Sequence, residues 1–230
     1  LRVHKPKTQD GTSALLWIHG GGLIIGDPSQ DDGRCAEFAE KLNITVIAVK
    51  YRLAPEHLFP AGIDDCFAAW SAIQKHHREL GINPQSVAVG GASAGGGLAA
   101  SLALRIRDEG TQQPVGQLLV YPMLDDRTTQ DTQINPKEHL VWNNQSNATG
   151  WGAYLGTDIG KDTISPYAAA ARHDNLENLP PAWIGVGTLD LFHDEDLAYA
   201  ERLKTGGVQT TVSIVDGGYH GLDTLDEQSQ

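Results

Sequence analysis

The stretch Ser86-Val-Ala-Val-Gly-Gly-Ala-Ser-Ala-Gly-Gly-Gly97 runs from a compact apolar segment into a glycine cluster with one serine inside it. Beyond it, apolar residues recur at three- and four-residue spacings to Asp108, so a helix is expected over about Gly95 to Asp108. Three readings of the glycines compete. A phosphate-binding loop, G-x-x-x-x-G-K-[ST], finds its glycines at Gly91 and Gly96, but Gly97 stands where the lysine is needed. A dinucleotide fingerprint, G-x-G-x-x-[GA], occurs at Gly95, Gly97 and Ala100. It begins inside the helix, however, and Asp108 lies on that same helix instead of at the end of a second strand. The third pattern, G-x-S-x-G, is met by Gly91-Ala-Ser-Ala-Gly95 directly between strand and helix, which is the context it requires. A strand turning at once into a helix strains its corner residue, and flanking glycines admit close backbone neighbours. Ser93 would then project alone above the sheet, beside the N–H groups and positive dipole end of the helix.

The same rhythm of short apolar runs and longer amphipathic ones extends through the chain. Strands are expected at Ala14 to Ile18, Ile44 to Val49, Val87 to Val89, Gln117 to Val120, Ala182 to Val186 and Thr210 to Val215. Helical spacing covers about Asp31 to Leu42, Ile63 to Leu80, Gly95 to Asp108 and Asp194 to Lys204. Such alternation predicts a mostly parallel sheet with helices on both faces. One connection departs from it. Between Leu124 and Pro181, residues 125–180 read as a cap or lid-like insertion before the penultimate strand. Its apolar pieces, Leu140-Val-Trp142 and Trp151-Gly-Ala-Tyr-Leu155, are too short for a core of their own and are expected to lie over the main domain. The acidic tail Asp223 to Gln230 is expected to fray.

With 230 residues, 40% of them apolar, the chain can bury one sizeable core, and residues 1–230 read as a single catalytic domain. A formal net charge of −12 leaves no basic footprint for nucleic acid, so the expected partner is a small molecule. No apolar run approaches the roughly 20 residues needed to span a bilayer. Leu1-Arg-Val-His-Lys-Pro6 carries no secretory pattern, which makes the cytoplasm the default location. Cys35 and Cys66 sit in helical patterns, form no metal-binding pair, and read as buried thiols.

A serine hydroxyl is a weak nucleophile at neutral pH and needs a base, an acid to orient it, and donors for the oxyanion. Donors are offered by His19-Gly-Gly-Gly22, directly after the strand Ala14 to Ile18, together with the Ala94 N–H. Four carboxylates follow the strand Ala182 to Val186. Asp194, Glu195 and Asp196 open a helix, where negative charge has an ordinary stabilising use, so Asp190 in the preceding loop is the expected acid. His220 lies in a loop behind the last strand and is the expected base; the other histidines precede the acid or fall in helical and loop stretches, with His76 and His77 on a solvated face.

These ordered segments resemble the hormone-sensitive-lipase-like family of α/β-hydrolase esterases. The likeness is carried by His19-Gly-Gly-Gly22, Tyr51-Arg-Leu-Ala-Pro-Glu-His-Leu-Phe-Pro-Ala61, Gly91-Ala-Ser-Ala-Gly95, Ser165-Pro-Tyr167, Asp190 with Asp194-Glu195, and His220-Gly221. The resemblance implies the α/β-hydrolase fold with a reduced cap, the triad Ser93, Asp190 and His220 in that order, and oxyanion amides at Gly21, Gly22 and Ala94. It implies a serine carboxylesterase acting on short to medium acyl esters through an acyl-enzyme, without metal or organic cofactor. An amidase or arylformamidase would use the same triad, and the plant gibberellin receptors, which resemble the same family, lack a working histidine where His220 stands here.

Three departures from the family pattern are visible. Ala92 occupies a position where the family has Asp or Thr before the serine. The family begins with cap helices and two further strands, whereas Leu1 to His4 looks like the tail of the second strand. It also carries a helix after the histidine, where ten residues follow His220 here. With a reduced cap the pocket is expected to be open and tolerant of bulkier esters, walled by Leu23, Ile24, Trp142, Trp151 and Leu191. A second subunit, forming a homodimer, is expected to cover the flank that the missing elements leave.

Overall fold

Continuous apolar strands need cover on both faces, and Ala14-Leu-Leu-Trp-Ile18 and Thr45-Val-Ile-Ala-Val49 are buried at every position. In the computed structural model, which describes residues 1–8, 11–135 and 138–225, they lie side by side within a seven-stranded sheet. The strands are β1 (Arg2–His4), β2 (Ala14–Ile18), β3 (Thr45–Val49), β4 (Val87–Ala92), β5 (Gln117–Val120), β6 (Ala182–Gly187) and β7 (Thr210–Val215). Their order is β1-β3-β2-β4-β5-β6-β7, with β1 antiparallel and every other pair parallel. Leu1 to His4 thus contributes a seventh strand beside the expected six.

The helices are α1 (Asp32–Leu42), α2 (Ala61–Leu80), α3 (Ala94–Asp108), α4 (Asn144–Leu155), α5 (His193–Thr205) and the short α6 (Leu222–Leu225). They are shared unequally between the faces. Ala14, Leu16 and Ile18 face the large core that α2, α3, α4 and α5 build, whereas Leu15 and Trp17 face a small cluster with Cys35 and Ala39 of α1. Past α1, that second face holds an apolar groove of about 510 Å³ lined by Phe38, Leu118, Val120, Trp183, Val215 and Leu222. Both cysteines are free and fully buried, and burial pushes the Cys35 thiol up to about 12.

The sequence reading missed α4. Its core-facing positions, Asn147, Gly150, Trp151 and Tyr154, have helical spacing, but two of the four are polar or lack a side chain, which hides the period. The Asn143 side chain caps it, accepting from Ser146 N at 3.0 Å. Trp151 and Tyr154 join the main core, whereas Leu140 and Val141 of the other apolar piece are exposed. Nor is the whole acidic tail frayed. Asp223 is held by Arg34 at 2.7 Å and by the Tyr121 hydroxyl, while residues 226–230 lie outside the described residues. No helix among the described residues is long and apolar enough to cross a membrane.

Two carboxylates fasten the insertion, Asp126 buried and Glu195 half-buried. Asp126 accepts from Arg172 through both oxygens and from Gly160 N at 2.9 Å. Glu195 of α5 accepts from Leu124 N at 2.8 Å, Asp125 N at 3.2 Å and the Thr128 hydroxyl. Burial outweighs these donors and pushes the Glu195 carboxyl up to about 8. A carboxyl raised in the folded state binds its proton there while the unfolded chain has released it. Its contribution to stability is therefore full below the ordinary Glu range and is lost as pH climbs toward 8. Glu195→Gln keeps an acceptor for the backbone amides without the ionisation, so its melting temperature relative to the wild type should rise between pH 5 and pH 8.5 by roughly 5 to 15 °C. Parallel thermal melts across that range check this; a flat difference means that Glu195 does not titrate there.

Candidate active site

Ser93 sits where β4 ends and α3 begins, with φ 57° and ψ −123°. A non-glycine residue holds this conformation at a cost of about 1 to 3 kcal/mol, so its surroundings must over-determine it. They do so through the backbone. Ser93 N donates to Val120 O at 2.9 Å, while Ser93 O accepts from Gly97 N and Met123 N, both at 3.0 Å. The glycines make that approach possible. A Cβ on Gly95 would stand 2.0 Å from Ile18 O, and one on Gly97 would stand 2.0 Å from Met123 O. Ala92, the departure beside the serine, points the other way into the small apolar cluster with Leu15, Trp17 and Val186.

Ser93, His220 and Asp190 come together although widely separated in sequence. Ser93 Oγ lies 2.9 Å from His220 Nε2, and His220 Nδ1 lies 2.9 Å from Asp190 Oδ2. Asp190 follows β6, and its Oδ1 accepts from Phe192 N at 2.9 Å, which fixes the carboxylate at the mouth of α5. Its acidic neighbours divide. Asp194 is solvent-exposed, as the helix-terminus reading expects, but Glu195 is half-buried and Asp196 is buried. Neither Asp196 oxygen has a hydrogen-bond partner among the described residues, and burial together with the nearby Glu195 and Asp190 charges pushes its carboxyl well above the usual range. The imidazole of His220 is walled by rings: Tyr121 at 4.7 Å and Phe192 at 5.2 Å, both edge-on, and Trp142 at 6.5 Å.

The His19–Gly22 loop runs past the same point. Gly21 and Gly22 adopt φ of 116° and 58°. His19 is buried and its Nδ1 donates to Gly20 O at 2.7 Å, while burial lowers its basicity and keeps the ring neutral. Its ring stacks on Tyr51 at 4.3 Å, the Tyr51 hydroxyl donates to His19 O at 3.0 Å, and Ala54 N donates to Leu23 O at 3.0 Å. The Tyr51 to Ala61 segment therefore buttresses this loop, a role that its motif alone does not reveal. Ala94 N belongs to the first turn of α3, where amides have no intrahelical acceptor.

The expected wall residues part company. Trp142 lies against the loop, its ring where a Cβ on Gly22 would be, and Gly150 of α4 packs on Gly22 O. Leu191 lines a cavity of about 210 Å³ with Asp190, Thr128 and His139. Leu23 is buried and Ile24 half-buried against the main core, and Trp151 is wholly inside it beside Tyr154. Ser93 is 7% and His220 6% exposed, with the Trp142 ring lying against Gly22 beside them. Ser165-Pro-Tyr167 is elsewhere: the Tyr167 hydroxyl donates to Asp108 at the end of α3, at 2.9 Å. Among the described residues no cluster of His, Cys, Asp or Glu has the form of a metal site.

Comparison with known proteins places this arrangement. A family profile described as alpha/beta hydrolase fold matches residues 15–224. The chain is 34% identical to Esterase LipI of Mycobacterium tuberculosis over 96% of its own length and 69% of the relative's. It is 35% identical to Carboxylesterase NlhH of the same species over 94% of itself and 68% of that protein. Among solved structures, "Bacterial Heroin Esterase" superposes with a TM-score of 0.94 at 39% identity, covering 99% of this chain and 73% of that one. Esterase LipW of Mycobacterium marinum follows at 0.88 and 31%, covering 98% and 70%. With a family match over most of its length and esterases among its relatives and structural neighbours, the chain belongs to the hormone-sensitive-lipase-like family of α/β-hydrolases.

Proposed function

We propose that this chain is a serine carboxylesterase that hydrolyses short to medium acyl esters through an acyl-enzyme. The observation that carries the reading is the unbroken hydrogen-bond chain from Ser93 Oγ through His220 to Asp190, built on a serine at positive φ. His220 Nε2 takes the Ser93 proton as Oγ attacks the ester carbonyl. The oxyanion that forms rests against the amides of Gly21, Gly22 and Ala94, aided by the dipole of the 15-residue α3. The imidazolium gives its proton to the leaving alcohol; the neutral imidazole then takes a proton from water as it attacks the acyl carbonyl, and returns it to Ser93 Oγ as the acid is released. Asp190 holds the Nδ1–H tautomer and stabilises the positive ring throughout.

The neutral His19 supports this chemistry without sharing in it, since its proton is committed to Gly20 O within the loop. The rings of Tyr121, Phe192 and Trp142 shield the imidazole from water, which strengthens the charges formed beside it. Support for short acyl groups comes from Trp142, whose ring lies on Gly22 and narrows the space beside the proposed oxyanion site.

Ser93→Ala should lower turnover of p-nitrophenyl butyrate by about 10⁴ to 10⁶ and abolish labelling by a serine-reactive organophosphate. Retention of most activity would remove Ser93 from the mechanism. Stoichiometric ligand binding by the wild type with silence on every ester and anilide would point to a receptor instead. Across acetyl, butyryl and octanoyl esters, kcat/KM should fall at least about tenfold to the longest, and Trp142→Ala should narrow that gap. Equal rates on all three in the wild type would mean that Trp142 limits nothing.

A further inference from the structure

His220 lies in the short segment between β7 and α6. Its loop leaves β7 through Gly217 at φ 71° and Gly218, and Gly221 at φ 78° follows it, so no regular element holds the histidine on either side. Upstream the loop is anchored to the β6 end, with Leu189 N donating to Gly218 O at 2.8 Å and Gly217 N to the Thr188 hydroxyl at 2.9 Å. Downstream, three residues from three distant parts of the chain meet. The Tyr121 hydroxyl donates to Asp223 Oδ1 at 2.5 Å, and Arg34 of α1 pairs with Asp223 Oδ2 at 2.7 Å. Both carboxylate oxygens are thus occupied by different partners.

Tyr121 links this anchor to the imidazole directly. It follows β5 with φ 36°, an uncommon conformation for a bulky residue, and is 4% exposed. Its ring meets the His220 ring edge-on, with centroids 4.7 Å apart. Burial and the Asp223 charge push the Tyr121 phenol above its usual range, so it stays a donor. Arg34 is placed in turn against the Trp17 ring at 5.6 Å, and Trp17 Nε1 donates to Asp31 at 2.7 Å, which ties the clamp into the second face of the sheet.

We propose that Arg34, Asp223 and Tyr121 form a clamp that positions His220 for proton transfer, with Asp223 as its keystone. None of the three touches Ser93 in the hydrogen-bond chain; they act through the imidazole, by fixing the segment just after it and the ring beside it. The proposal rests on the triad reading for its kinetic consequence, and displacement of a base by about 1 Å is enough to cost roughly 10²-fold in rate. Because the clamp sets geometry and not substrate contact, its loss should appear in kcat and leave KM in place.

Asp223→Ala should lower kcat for p-nitrophenyl butyrate about tenfold or more with KM within about twofold, and slow organophosphate inactivation in parallel. Asp223→Asn retains an acceptor for Tyr121 and should recover most of both. Tyr121→Phe keeps the ring contact, removes the anchor, and should fall in the same direction, with the Tyr121→Phe/Asp223→Ala double variant no worse than the weaker single one. A second readout is independent of turnover: the downfield proton resonance of His220 Nδ1–H, identified by its loss in His220→Ala, should be sharp in the wild type, broadened in Asp223→Ala and restored in Asp223→Asn. An unchanged resonance with wild-type kcat in Asp223→Ala and Tyr121→Phe overturns the clamp. A wild type inert toward esters overturns the esterase reading alone, and the resonance still decides the clamp. Should Asp223→Ala fail to fold, Tyr121→Phe carries the same comparison.

Discussion

Everything in the site depends on how closely two backbones can approach at the corner between β4 and α3. Gly91 and Gly95 let that corner press on Ile18 O and on itself, and Gly97 lets the first turn of α3 press on Met123 O. Side chains at these positions would force the helix away from the sheet. Ser93 would then lose the Val120 and Met123 contacts that hold its positive φ. The strain at one residue is maintained by the absence of side chains at its neighbours.

Parallel pairing converts that local constraint into a site. Ile18 pairs with Gly91 and Val120 with both Ala92 and Gly185, so β2, β4, β5 and β6 end at nearly the same level. Val215 of β7 pairs with Gly187, which brings the His220 loop beside the Asp190 loop. In such a sheet the segments leaving the carboxyl ends of the strands converge whatever their separation in the chain. The glycine loop, the serine, the carboxylate and the histidine each leave one of these ends.

Much of this was legible because the informative residues carry local signatures. The strand and helix periods located six strands and four helices to within a few residues, and the G-x-S-x-G and HGGG patterns each sit at a strand end. What was not legible depends on contacts that sequence does not order. The period of α4 is hidden by Asn147 and Gly150, the latter small because Gly22 O lies against it. Glu195 and Asp196 read as ordinary helix-opening charges, since nothing local signals that the insertion folds over them. Asp223 reads as part of a polar tail, because its partners Arg34 and Tyr121 are 189 and 102 residues away by number.

The three residues of the hydrogen-bond chain are held with unequal firmness, and the inequality has a physical origin. Ser93 is fixed by main-chain bonds in a corner with no free torsion to relax into. Asp190 is fixed by the Phe192 amide where a 13-residue helix begins. His220 has neither a strand nor a long helix adjoining it, and glycines lie on both sides of its segment. Its bonds to Ser93 and Asp190 cannot supply the missing rigidity, because the bond to Ser93 must break and reform as the proton moves. Rigidity has to come from contacts that the reaction leaves alone, and the ring packing of Tyr121 and Phe192 is of that kind.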